Sequence, residues 1–271
     1  MTSIRVEFAH RISEMKPIPK TARLRKFATR KLGIRHDSVP SGVTAFCILT
    51  TQRSGSSLLD ERLSARWTEI RSDGEIFNAQ HRGNRTFEET LARTYYVDTG
   101  HRIIGSKVIR YQVTDSEMRS LLVIPGLRVV VLRRDNVLRQ FVSLKIAEKN
   151  KVWKQPTYTS RPDVRSRAVE VEIDELLAYE EQQNRTYEEF EALIAGMPVQ
   201  HVCYERLAAD LDSELEKVGE FLGAGLPNKS LPLKFLHQNP EPLRELISNF
   251  EKLNSDLISA GHERLLRMAE A

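Results

Sequence analysis

Residues Thr44–Leu59 read TAFCILTTQRSGSSLL, and the reading of this stretch decides the fold. Ala45–Leu49 is a short apolar run of the length that suits a buried strand. It runs into Thr50-Thr51-Gln52-Arg53-Ser54-Gly55-Ser56-Ser57, a small polar loop with one glycine and one arginine. Beyond the loop, Leu58, Leu59, Leu63 and Trp67 recur at helical spacing. Strand, small-residue loop and helix together aim free backbone N–H groups and a helix N-terminus at an anion. Ser54, Gly55, Ser56 and Ser57 let such a group approach the backbone, the hydroxyls add donors, and Arg53 adds a rigid positive fork. The loop is not a Walker A motif, because Gly55 is followed by Ser56 where that motif needs Lys, and its first Gly is missing. The plainer alternative is an N-capped helix after a core strand.

The chain has 271 residues, enough for one large domain or two small ones and for a sizeable core. Its 40% hydrophobic and 29% charged residues are ordinary for a soluble globular protein. A formal charge of +4 and a pI near 9.0 favour an anionic ligand. Nucleic-acid binding is not expected, since no concentrated basic stripe with a recognisable module occurs. No apolar run approaches the ~18–20 residues of a membrane span and the N-terminus lacks a signal-peptide core, so a cytoplasmic protein is expected. Cys47 and Cys203 lie in apolar, strand-like runs without metal-ligand spacing and are expected to be buried, reduced thiols.

Residues 1–42 form a basic extension, closed by Pro40-Ser41-Gly42, and residues 43–271 one domain. The extension reads either as a solvated arm or helix packed on the domain, or as a peripheral contact with an anionic membrane surface or acidic partner. After the first helix, Ser72-Asp73-Gly74 is turn chemistry and places Glu75 on a short loop, where a carboxylate suits a general base or a simple exposed acid. Thr86–Tyr96 is expected as helix and His101–Arg110 as strand, with Lys107 near the strand end. His81 and His101 are the other candidate bases nearby. Leu127–Leu132 is an almost wholly apolar strand, the pattern of a parallel sheet covered on both faces. It leads into Arg133-Arg134-Asp135-Asn136, where Asp135 or Asn136 caps a helix carrying Ser143. An arginine at a strand's C-terminal end and a serine two turns along the next helix can converge on one phosphate, at the sheet edge where open α/β folds bind ligands. Lys154–Arg167 is expected as a surface loop, and Val169–Ile194 as a long helix whose Glu172, Asp174, Glu175, Glu180 and Glu181 form a solvated face. Val199–Tyr204 is a further strand, followed by a helix over Glu214–Leu222 that Gly223 stops. Repeated strand–loop–helix units predict a single α/β domain with a central parallel sheet and helices on both faces.

The loop at 50–59 resembles the 5′-phosphosulfate loop of the sulfotransferases, P-R-[ST]-G-[ST]-[ST]-L, with Gln52 in place of the usual Pro. Gly74–Asn78 is similar to the G-E-x-x-N segment of bacterial carbohydrate sulfotransferases of the nodulation-factor and trehalose type, and Gly105-Ser106-Lys107 to a G-x-K of the family. Arg134 and Ser143, nine apart, resemble the 3′-phosphate motif, whose commoner spacing is eight, so the choice between Arg133 and Arg134 stays open. YERLAADLDSELEKVGEFLG at 204–223 and LKFLHQNPEPLRELISNF at 233–250 resemble two further family segments. The resemblance implies a P-loop-like sulfotransferase fold and sulfuryl transfer from 3′-phosphoadenosine 5′-phosphosulfate (PAPS) to a hydroxyl of a carbohydrate, glycolipid or other small-molecule acceptor. It implies a cradle of Arg53, Ser54, Gly55, Ser56 and Ser57, with Lys107 on the transferring group and Glu75 as base. Arg133 or Arg134 with Ser143 would hold the 3′-phosphate, Tyr204 would sit near the adenine, and Lys234 and Gln238 would lie in a loop over the nucleotide. No metal is expected, since a sulfuryl group carries less charge than a phosphoryl group and no D-x-D motif lies near the loop. The rival readings are a P-loop small-molecule kinase and a non-catalytic nucleotide-binding relative.

Overall fold

A computed structural model describes residues 37–153, 163–228 and 239–270. The first strand, β1 (Thr44–Thr50), is buried from Ala45 onward and leads through the polar loop into α1 (Ser56–Arg66). A short strand, β2 (Ile70–Ser72), follows. Next come α2 (Ala79–Arg82), α3 (Phe87–Tyr95) and β3 (Ile103–Ile109). A 3₁₀ turn at Arg110–Gln112 leads to α4 (Asp115–Leu122), β4 (Arg128–Arg133) and α5 (Val137–Asn150). The chain continues through α6 (Val164–Arg167), α7 (Ile173–Leu193) and β5 (Val199–Cys203). It closes with α8 (Tyr204–Ala209), α9 (Leu211–Leu222), α10 (Leu243–Leu246), α11 (Phe250–Ser259) and α12 (Arg264–Glu270).

The five strands form one parallel sheet in the order β2-β3-β1-β4-β5. Strand pleat sorts the side chains of the central strands onto two faces. Ala45, Cys47, Leu49, Val129 and Val131 pack with Leu91 and Tyr95 of α3 and with Tyr187 and Phe190 of α7. Phe46, Ile48, Val130 and Leu132 pack on the other face with Leu59, Leu63 and Trp67 and with Leu215, Val218 and Leu222 of α9. Both faces are covered, which is why these strands read as continuous apolar runs and not as alternation. A third apolar cluster joins α5 to the first half of α7 and to the tail helices, through Phe141, Leu144, Leu176, Leu246 and Leu257. No helix among the described residues is long and apolar enough to cross a membrane.

Capping chemistry sets several helix starts. Thr86 with Glu89 and Thr114 with Glu117 form reciprocal capping boxes on α3 and α4, and Asn136 accepts from the Arg139 N–H at the start of α5. Gly223 ends α9 in the left-handed region, as its position in the sequence indicates.

Four expectations change. The edge strand β2 was not legible, because only Ile70 of its three residues is buried. Glu180 lies on the buried face of α7 and not on a solvated one, since both its oxygens receive the Arg264 guanidinium at 2.5 and 2.6 Å. Cys203 is only partly buried, because β5 is the sheet's edge. Within 163–167 the expected loop is the short helix α6, with Arg167 buried against Asn239 and Glu241. Residues 1–36 of the basic extension lie outside the described residues, as do 154–162.

Gly105, in the middle of β3, is required by packing. A Cβ built there would meet the Phe46 ring at 2.4 Å. Gly105→Ala should therefore lower stability by about 1–3 kcal/mol through overpacking, read as a lower denaturant midpoint at unchanged slope. Adding Phe46→Leu should recover part of that loss, and a double variant no better than the single one would refute the packing account.

Candidate functional site

The loop at the C-terminal end of β1 is anchored from behind before it turns to solvent. Thr50 Oγ1 donates to the Leu132 carbonyl at 2.8 Å and shares a hydrogen bond with Ser54 Oγ at 2.6 Å. Gln140, buried on α5, donates to Thr51 Oγ1 at 3.0 Å and to the Gln52 carbonyl at 2.5 Å. The Tyr187 hydroxyl donates to the Leu132 carbonyl at 2.9 Å, next to Thr51. These contacts hold a strained path, with Arg53 at φ +59° and Gly55 at φ +89°. Gly55 is also the N-cap of α1, with no side chain to cap the first turn. The first-turn N–H groups thus lack a side-chain acceptor of their own, as an anion cradle requires. A Cβ on Gly55 would lie 2.1 Å from the Tyr204 ring, so position 55 admits glycine alone on two counts.

Two arginines converge on this loop. Arg53 donates Nε to Ser143 Oγ at 3.0 Å and Nη1 to the Trp153 carbonyl at 2.8 Å. Arg134 donates to the Arg53 carbonyl at 3.2 Å, and its guanidinium stacks 4.6 Å over the Tyr204 ring. Burial, then the charge of Arg134, lowers the Arg53 pKa to about 10, and burial likewise lowers that of Arg134. The Nε of Arg134 is buried without a hydrogen bond, and the Glu205 carboxylate stands 3.8 Å away. Two buried cations with lowered pKa values, an orphaned donor and a glycine cradle fit an anionic group.

Arg133 does not join them. The pleat turns it to the other side, where it donates to Asn184 at 2.9 Å and lies 5.1 Å over Tyr187. Of the two candidates, Arg134 is the one beside the loop and Ser143.

Lys107 sits inside β3 at 1% exposure, not at a strand end with its charge in water. Its ammonium donates to Ser57 Oγ at 3.1 Å and pairs with Glu75 Oε1 at 2.8 Å. The Glu75 loop is pinned to the same strand by Asp73 N–H to the Gly105 carbonyl at 2.9 Å and Lys107 N–H to the Gly74 carbonyl at 3.0 Å. Thus the base candidate, the buried ammonium and α1's first turn meet at one point. His81 Nδ1 contacts the Glu75 backbone carbonyl at 2.8 Å and not its carboxylate, while His101 bonds to Thr99. Ser54 is fully buried and its hydroxyl is turned back on Thr50; Ser56 lies at the start of α1. Tyr204 lies under the loop, with Arg134 on its face and Gly55 against its edge. Lys234 and Gln238 lie outside the described residues.

Sequence reasoning missed Gln140, Arg167 and Asn239. Asn239 reaches Ser143 Oγ at 3.5 Å and is itself held by Arg139 at 3.1 Å and Arg167 at 2.7 Å. Only the N-P-x-P context of Asn239 signalled it. Among the described residues, Asp135, Cys203 and Glu205 bring three ligand-type atoms within 4.8 Å of one another. Both Glu205 oxygens already accept the N–H groups of Asp135 and Asn136, at 3.1 and 3.0 Å, which fixes the start of α5.

No protein-family model and no curated protein matches the chain. Among solved structures, a sulfotransferase from Alicyclobacillus acidocaldarius superposes with a TM-score of 0.50 at 15% identity, covering 84% of this chain and 94% of that one. A sulfotransferase domain of the Synechococcus PCC 7002 olefin synthase gives 0.41 at 15% identity, over 82% of this chain and 86% of that one. A mouse sulfotransferase complexed with PAP gives 0.40 at 12% identity, over 84% and 86%. The first likeness establishes the sulfotransferase fold.

The lowered pKa of Arg53 sets the sign of a pH effect. A bound anion keeps Arg53 protonated to higher pH than the free site does, so anion affinity is full below about 10 and falls as pH rises through it. Sulfate, which does not titrate there, should bind with a constant Kd from pH 7 to 9 and more weakly above 10. Binding that strengthens with pH would contradict the assignment.

Proposed function

We propose that the protein transfers a sulfuryl group from PAPS to an acceptor hydroxyl. The observation that carries this reading is the convergence of Arg53, Lys107 and Arg134 with Glu75 around a glycine loop that lacks the Walker lysine. The sulfotransferase fold and the sequence resemblance support it. In this reading the donor supplies an activated sulfuryl group whose departing phosphate oxygen gains negative charge.

Arg53, the N–H groups at the start of α1 and Lys107 are placed to hold that charge, in a site whose cations are already fixed before ligand arrives. Arg134 and Ser143 hold the 3′-phosphate, which separates this donor from ATP; the Arg53–Ser143 hydrogen bond joins the two anion positions. Tyr204 supports both from below. Glu75, already beside Lys107, accepts the acceptor's proton at a carboxylate oxygen, late in transfer when that oxygen has become acidic. The acceptor is a carbohydrate or similar small polyhydroxylated molecule, as the resemblance of the Gly74–Asn78 segment to bacterial carbohydrate sulfotransferases suggests. The basic extension belongs to this proposal only as a separate element that contacts an anionic surface or partner.

Thermal unfolding with 3′-phosphoadenosine 5′-phosphate, ATP, GTP and AMP tests the donor. At about a hundred times its Kd the bisphosphate should stabilise by about 2.7 kcal/mol. Arg134→Ala should abolish that shift and Arg133→Ala should keep it. A shift with ATP alone would replace this reading with a kinase. In transfer assays with PAPS and sugar acceptors, Glu75→Gln should lower kcat by roughly 10²–10⁴-fold with the bisphosphate shift retained.

A further inference from the structure

The path from the anion loop to Glu75 runs through residues outside the motifs. Lys107 holds one Glu75 oxygen; the other, Oε2, accepts from Gln112 Nε2 at 2.8 Å. Gln112 ends the 3₁₀ turn that leaves β3. A carboxylate only accepts hydrogen bonds, so the Gln112 amide must present its NH₂ group to Glu75.

The neighbouring Tyr111 has a half-exposed ring, and the Gln52 and Gln112 side chains act on the ionisation of its phenol. Burial pushes the Tyr111 phenol up, and those two amides offset part of the rise. Gln52 stands where the sulfotransferase loop pattern has Pro, which has no side-chain donor. The buried Gln112 Oε1 has no hydrogen-bond partner among the described residues, so the recorded tie of this amide is its Nε2 hydrogen bond to Glu75.

We propose that Gln112 is a positioning residue for Glu75: its amide fixes the carboxylate against Lys107 and favours its anionic form. This rests on the reading of Glu75 as the proton acceptor. Lys107 faces Glu75 from β3, and Arg53 and Tyr111 lie within its field. Arg71 and Asp73, on its own segment, pair with each other at 3.0 and 2.5 Å, and His81 binds only the backbone carbonyl. Gln112 is thus the neutral donor that favours the charged carboxylate.

The test is a carboxyl-carbon NMR titration of protein labelled at glutamate Cδ, with the Glu75 resonance assigned through Glu75→Gln. Gln112→Met should raise the Glu75 midpoint by about one pH unit. Gln112→Leu, of a different shape and equally unable to donate, should raise it to a similar extent, and it serves as the test should the first variant fold poorly. Both should keep the melting shift with 3′-phosphoadenosine 5′-phosphate, a readout that a merely structural role would lose. An unmoved midpoint, or a bisphosphate shift lost in both variants, overturns the inference. If the wild-type protein shows no bisphosphate shift, or Glu75→Gln transfers sulfuryl at the wild-type rate, the functional reading itself falls and takes this inference with it.

Discussion

A lysine ammonium inside a parallel sheet has to be paired, and the architecture around Lys107 follows from that demand. At 1% exposure the group reaches no bulk water, so its charge is tolerated only with close partners. Glu75 supplies the counter-charge and Ser57 an acceptor, which ties the turn after β2 to the first turn of α1. Removing either partner leaves a buried charge and costs more than the pair itself contributes. The sheet's C-terminal edge is thereby assembled by electrostatics as much as by apolar packing.

The same edge gathers Arg53 and Arg134, and the Glu205 carboxylate stands 3.8 Å from Arg134. Lys107 is paired with Glu75 inside the fold, whereas burial lowers the pKa of both arginines and the charge of Arg134 lowers that of Arg53 further. In the proposed function this difference gives the site a direction, with the anionic part of a ligand toward Arg134 and Ser143 and the reacting part toward Glu75.

The sheet was legible because Ala45–Leu49 and Leu127–Leu132 are apolar on both faces, and only a doubly covered strand reads that way. Tyr95, Gly105 and Phe46 fit the expected elements, yet nothing in a linear reading shows that a ring fills the space above Gly105. Glu180 was misjudged because its partner Arg264 lies 84 residues away. The choice between Arg133 and Arg134 depends on where the pleat of β4 ends, which composition does not encode. Gln112 and Gln140 carry no periodic or motif signal, since a glutamine in a strand-end turn or on a helix reads as filler until its amide finds a partner.

The backing of the anion loop has a thermodynamic consequence. Flexible cradles must freeze several torsions when their ligand arrives, and each long side chain so ordered forfeits up to about 2 kcal/mol of rotamer entropy. Here the Lys107 stem is already enclosed by the sheet, the Arg53 fork is already held by Ser143 and Trp153, and the Gln52 carbonyl is already clamped by Gln140. That ordering cost falls on the folding of the chain and not on ligand capture. Under the proposed function, the interaction energy of an incoming nucleotide is left to discriminate between one anion and another.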